Sequence, residues 1–183
     1  MQSAGIRLIW LVGLALWATQ SSAEQLLLQN ATATYTQGTQ GEWLPANTID
    51  GVREGAFTSW AVSEGESNSS LNESIVWETQ WDGSAGDYLF RLHFEETVAT
   101  PGHNLGRFRL YYTTDARETF ADGVPRGGDV RANWQMIDPL LAVGSAGVRL
   151  FPLGDLSVLA TGASDMRAIY TVIADLPESG VTG

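Results

Sequence analysis

The stretch Tyr88-Leu89-Phe90-Arg91-Leu92-His93-Phe94-Glu95 constrains this chain more than any other. Successive side chains of a strand point to opposite faces, so Tyr88, Phe90, Leu92 and Phe94 share one side while Arg91, His93 and Glu95 share the other. Such a strand covers a core on one face and meets water on the other. Phe108, Leu110 and Tyr112 repeat the pattern, with Arg107, Arg109 and Tyr111 opposite. Ile75, Trp77, Thr79 and Trp81 form a third alternating set, and the segment from Ala31 to Thr36 a fourth. Turn formers separate them at Asp82-Gly83-Ser84, Thr100-Pro101-Gly102 and Asp122-Gly123-Val124-Pro125. After the N-terminal segment no stretch holds a helical period, and short strands at this spacing predict an all-β sandwich.

The N-terminal segment reads differently. Met1 to Ala23 carries one basic residue, Arg7, then the apolar run Leu8 to Trp17, then Ser21-Ser22-Ala23. This is the pattern of a secretory signal peptide, and the run is shorter than the roughly 20 apolar residues of a membrane span. The expected product is exported, as a periplasmic, cell-surface or secreted protein, with no membrane span after cleavage. About 160 residues then remain, enough for one well-filled core or one and a half small modules. Cysteine is absent, so stability rests on packing or on a bound ion. The net charge of −11 and the lack of any Lys/Arg run exclude a nucleic-acid partner, which would require a basic footprint. The three sequons, at Asn30, Asn68 and Asn72, are no more than chance supplies in so Ser- and Thr-rich a chain.

Residues 116 to 131 are rich in Gly, Asp and Arg, which suggests a connection between two units. The expected organisation is a signal peptide at 1–23, a β-sandwich at 24–115, the connection at 116–131, and at 132–183 the start of a second, truncated β unit with strands at Val148 to Phe151, Leu156 to Thr161 and Ile169 to Ile173. An end after three such strands leaves exposed edges.

Asn30-Ala31-Thr32-Ala33-Thr34-Tyr35, then Ile49-Asp50-Gly51 with Thr58-Ser59-Trp60, then Leu105-Gly106-Arg107-Phe108-Arg109-Leu110 occur in this order. Together they resemble the discoidin domain, the coagulation factor 5/8 C-terminal type of the galactose-binding-like superfamily. His103 to Arg109 and Leu156 to Gly162 further resemble a variant found in large exported proteins of planctomycete-type bacteria. The resemblance implies a discoidin-like jelly-roll β-sandwich followed by an incomplete second β unit. It also implies a structural Ca²⁺ near Asp50 and Thr58, a cation that takes six to eight oxygens. Read from the residues alone, Asp50 equally serves as the cap of its own turn.

Trp43, in the loop Gly41-Glu42-Trp43-Leu44-Pro45, is a candidate platform for a sugar ring, and His103, Arg107 and Arg109 are candidate partners for sugar hydroxyls. The bland alternatives are a tryptophan that closes its loop and arginines that pair with acidic neighbours. Trp60 reads as core. Catalysis finds little support: no Gly-x-Ser-x-Gly, His-Glu-x-x-His or phosphate loop occurs, and with two histidines and no thiol few bases or nucleophiles exist. Glu95 and Glu96 point to opposite faces of a strand and cannot act as a glycosidase pair. The expected function is a non-catalytic module that binds carbohydrate or cell-surface polysaccharide. The alternative is a structural module that docks onto a partner domain, including other domains of the same polypeptide, with no sugar ligand.

Overall fold

The computed structural model describes residues 25–37, 42–52, 58–62, 72–94, 104–162 and 167–183. Among them the chain is nearly all β, with ten strands and a single 3-10 turn at Pro45–Thr48. The strands are β1 (Leu28–Ala33), β2 (Ile75–Thr79), β3 (Gly86–His93), β4 (Arg107–Phe108), β5 (Tyr111–Tyr112), β6 (Gln135–Met136), β7 (Leu141–Gly144), β8 (Arg149–Pro152), β9 (Val158–Thr161) and β10 (Ile169–Leu176). All pair antiparallel, in the orders β3-β10-β7, β4-β9-β8, β1-β2 and β5-β6.

Alternation sets the register, because a slip of one residue would turn every side chain to the wrong face. Along β3 the core-facing Tyr88, Phe90 and Leu92 are half-buried while Asp87, Leu89, Arg91 and His93 are exposed. β10 pairs with β3 over its whole length, from Ile169 opposite His93 to Leu176 opposite Gly86. Its inward residues Tyr170, Val172, Ala174 and Leu176 are all 2 % exposed or less.

Two sheets close over this side. Tyr170, Leu92 and Ala142 from one sheet meet Phe108, Leu150 and Val158 from the other, which is the face-to-face packing of a sandwich. The Tyr170 ring lies 4.4 Å from that of Phe94 and 5.9 Å from that of Phe108, and its hydroxyl donates to the Leu105 carbonyl at 3.2 Å. The interior consists of two adjoining cores. Phe90 and Leu110 pack with Tyr112, Ile137 and Leu176, while Leu92, Phe94 and Phe108 surround Tyr170.

The expected division at 116–131 is corrected by the strand pairing. β10 joins β3, β9 joins β4 and β6 joins β5, so residues from 132 onward share sheets with those before 116. The supposed connection is itself structural: Phe120, fully buried, and Ala121 form a third core with Val76 and Trp134. Its apolar residues are few, but Phe120 and Ala121 pack against Val76 of β2, with Val130 beside them. The same segment lines the free side of β1, where Ala33 N–H donates to the Val124 carbonyl at 3.2 Å and Gly128 N–H to the Ala33 carbonyl at 3.0 Å.

In the third alternating set burial is mixed, since Thr79 is buried but so are Val76 and Glu78 between its members. Val76 and Glu78 point inward, and Trp77 sits half-buried on the opposite side with its indole N–H on Thr48 Oγ1 at 2.8 Å. The buried Glu78 carboxylate is tolerated because Glu118 N–H donates to Oε1 at 2.5 Å and the Gln29 amide to Oε2 at 3.4 Å. Residues 181–183 run between β2 and β5, with Thr79 N–H on the Thr182 carbonyl at 2.8 Å and Thr113 N–H on the Gly183 carbonyl at 3.0 Å.

Tyr170→Ala should lower unfolding free energy by about 3–5 kcal/mol in urea titration, the usual cost of removing a fully buried aromatic. Gly128→Ala should also destabilise, by about 1–3 kcal/mol. A Cβ there would stand 2.6 Å from the Val124 carbonyl oxygen and 2.4 Å from Thr32 Cγ2.

Candidate functional site

Arg107, in β4, and Arg109, just beyond it, lie on the exposed face as alternation requires. Both guanidinium groups bond the same oxygen, Asp155 Oδ2, from the turn between β8 and β9. Arg107 Nε also donates to Ser157 Oγ at 2.9 Å, and Arg109 Nε reaches the Asp155 carbonyl at 3.4 Å. The other carboxylate oxygen accepts from Ser157 Oγ at 2.6 Å and from Ser157 N–H at 3.3 Å. Ser157 is fully buried and Leu156 takes a left-handed φ of 63°, so the turn that presents Asp155 is tightly held. The Ser157 hydroxyl first, then its N–H and the two arginines, hold the Asp155 carboxyl at about 2. The acidic partner foreseen in the bland reading of the arginines is therefore Asp155. Its signal in the sequence was Asp155-x-Ser157, a self-capping turn between two alternating runs.

Trp43 belongs to a different corner. It is half-buried beside the Pro45–Thr48 turn, has a left-handed φ of 51°, and its carbonyl accepts from Thr36 Oγ1 at 2.6 Å. Trp60 is half-buried there too, with its indole N–H on the Tyr35 carbonyl at 2.8 Å. Arg107 and Arg109 are brought together, but by Asp155 and not with Trp43. His103, Glu95, Glu96 and the signal segment lie outside the described residues.

Asp50 Oδ1 accepts from Val52 N–H at 2.7 Å, and Gly51 has a φ of +79°. This is the self-capped turn that the residues alone allowed. Thr58 is half-buried further along. Among the described residues no group of three or more His, Asp or Glu gathers as a metal site. The described part of this loop supplies one carboxylate, Asp50, whose Oδ1 accepts the Val52 N–H.

The outer face of β3-β10-β7 was not singled out by the sequence. Leu89, Ile173 and Leu141 lie in one row across its three strands, and Arg91, Thr171 and Val143 in the next. Leu89, Leu141 and Val143 are each at least half exposed, and Leu140 beside them is 63 % exposed. A shallow depression of about 260 Å³ opens at one end, lined by Arg91, His93, Val143, Ser145, Ile169 and Thr171. The signal was present in Leu89 and in Val143, apolar residues on the faces that alternation assigns to water.

Asp155→Asn should separate the two arginines from their shared anchor and lower stability at neutral pH. Because the folded carboxyl titrates at about 2 and an unfolded Asp near 3.9, this contribution is present above pH ~4 and is lost as pH falls toward ~2. Urea midpoints of the two proteins should therefore differ by a constant amount from pH ~5 to ~8 and converge in acid. No family model matches this chain, and no curated protein or solved structure matches it either.

Proposed function

We propose that this chain is a non-catalytic β-sandwich module that acts by docking onto protein through the outer face of β3-β10-β7. The observation that carries this reading is the row Leu89, Ile173 and Leu141, continued by Val143, on a sheet face that borders no second layer among the described residues. Isolated surface apolar residues need no explanation, but a contiguous apolar face marks an interaction site. Export follows from the N-terminal segment and belongs to the same proposal, as does the discoidin relation suggested by the ordered motifs. No helix among the described residues is long and apolar enough to cross a membrane.

A second reading, carbohydrate binding, is favoured by one observation: Arg107, Arg109 and Asp155 form an exposed array of donors and acceptors, and such arrays suit sugar hydroxyls. Its aromatic neighbour would be Phe151, which is 47 % exposed and shares the cross-strand row of Arg107 through Leu159, and not Trp43.

Leu141→Glu with Val143→Glu should leave the melting midpoint nearly unchanged, since exposed substitutions shift stability by about 0.5 kcal/mol or less. Protein retained on the immobilised wild-type module should be lost from this double variant and kept by Arg109→Ala. Retention that survives the double variant would overturn the docking face. A glycan array on which wild type binds and Arg109→Ala does not would move the assignment to the arginine cluster.

A further inference from the structure

The outer face of β3-β10-β7 carries a charge pattern complementary to itself. Outward residues lie in rows two residues apart along the strands: Asp87 with Asp175, then Leu89 with Ile173 and Leu141, then Arg91 with Thr171 and Val143. Asp87 and Asp175 stand directly opposite each other in the register, an arrangement of like charges that destabilises a sheet. Arg91 is exposed and has no ion pair among the described residues, whereas Arg107, Arg109, Arg117 and Arg131 each hold an aspartate of their own chain. One row thus has anionic charge in excess, and two rows away, about 14 Å along the strands, stands an unmatched cation.

We propose that this face docks onto a second copy of the same chain, with a two-fold axis running across the strands along the row Leu89, Ile173 and Leu141. The proposal rests on the docking reading above and names its partner. Rotation about that axis lays the apolar row on its own image. It also reverses the strand direction, so that Arg91 of each copy comes over Asp87, beside Asp175, of the other. Such a contact is isologous, with each pair formed twice, and the two sheets would stack about 10 Å apart as in a sandwich. An unrelated partner would have to bring its own cation to the aspartate pair, whereas a second copy brings Arg91 in the required place.

Magnitudes fix the strength. Eight residues at about 3.4 Å and three strands at about 4.8 Å give a face of roughly 400 Å², half the ~800 Å² per partner of a standard interface. The net charge of −11 opposes association at long range. The dimer is accordingly weak, with a dissociation constant on the order of 100 μM.

Sedimentation velocity of the purified chain from about 5 to 500 μM, a range that brackets this constant, provides the test. The weight-average mass should rise toward that of a dimer. Arg91→Asp alone, and Asp87→Arg with Asp175→Arg alone, should each stay closer to monomer. An equimolar mixture of these two variants should associate at least about tenfold more tightly than either by itself, since only the mixed pair restores opposite charges across the axis. All three positions are exposed, so unchanged melting curves will confirm that each variant is folded. A wild type that is monomeric throughout, or a mixture no tighter than its components, overturns the proposal. If wild type is monomeric while Leu141→Glu with Val143→Glu still releases a retained protein, the second copy fails as partner and the docking face stands. If a wild-type dimer persists unchanged in that double variant, both fail.

Discussion

The double pairing of β10 is the constraint from which the rest of the molecule follows. One edge of this strand bonds β3 over eight residues and the other bonds β7 from Tyr170 to Ile173. That position commits its even-numbered residues to the interior. Tyr170 then determines where Phe94 and Phe108 can stack, and through Phe108 it determines how β4 and the second sheet lie over the first. Leu176 and Ala174 extend the same face into the neighbouring core with Tyr112 and Ile137. Remove the strand and β3 and β7 share no partner, and two cores lose a wall.

How much of this could be read from residue order depends on which force decides each element. The faces of β3 and the side-by-side placement of Arg107 and Arg109 were legible because alternation is a local property. The strand positions at 148–151, 156–161 and 169–173 were legible for the same reason. Partner choice was not. Nothing local in Ile169-Tyr170-Thr171-Val172 states that it will pair with residues about eighty positions earlier. The segment 116–131 looked like a tether because glycine and aspartate dominate it, yet Phe120 alone anchors a core, and its glycines let the backbone run close along β1. β2 misled because Ile75 and Trp77 form an apolar alternating pair, while the set between them carries the charged Glu78. A buried glutamate is acceptable only where hydrogen-bond donors converge on it, here the Glu118 N–H and the Gln29 amide, and that convergence is a property of the folded chain.

At the arginine cluster one carboxylate serves two guanidinium groups, which leaves a net positive spot on a strongly acidic protein. The burial of Ser157 makes this spot rigid. The sheet face on the other side of the molecule has the opposite character, apolar and shallow, with its charges at the margins. A rigid polar array and a broad apolar face suit different occupants.

The distance in sequence between β3 and β10 has a consequence during synthesis. At about 5–20 residues per second, β3 waits roughly 4–16 s before the strand that pairs with it has even been made. In that interval Tyr88-Leu89-Phe90-Arg91-Leu92-His93-Phe94 is a seven-residue segment rich in aromatic and aliphatic residues with no glycine or proline, the composition that stacks with copies of itself on neighbouring chains. Arg91 and His93 interrupt it. On a nascent chain these two side chains act as gatekeepers against premature strand exchange, so the same arginine that has no ion pair among the described residues of the finished surface guards the chain before that surface exists.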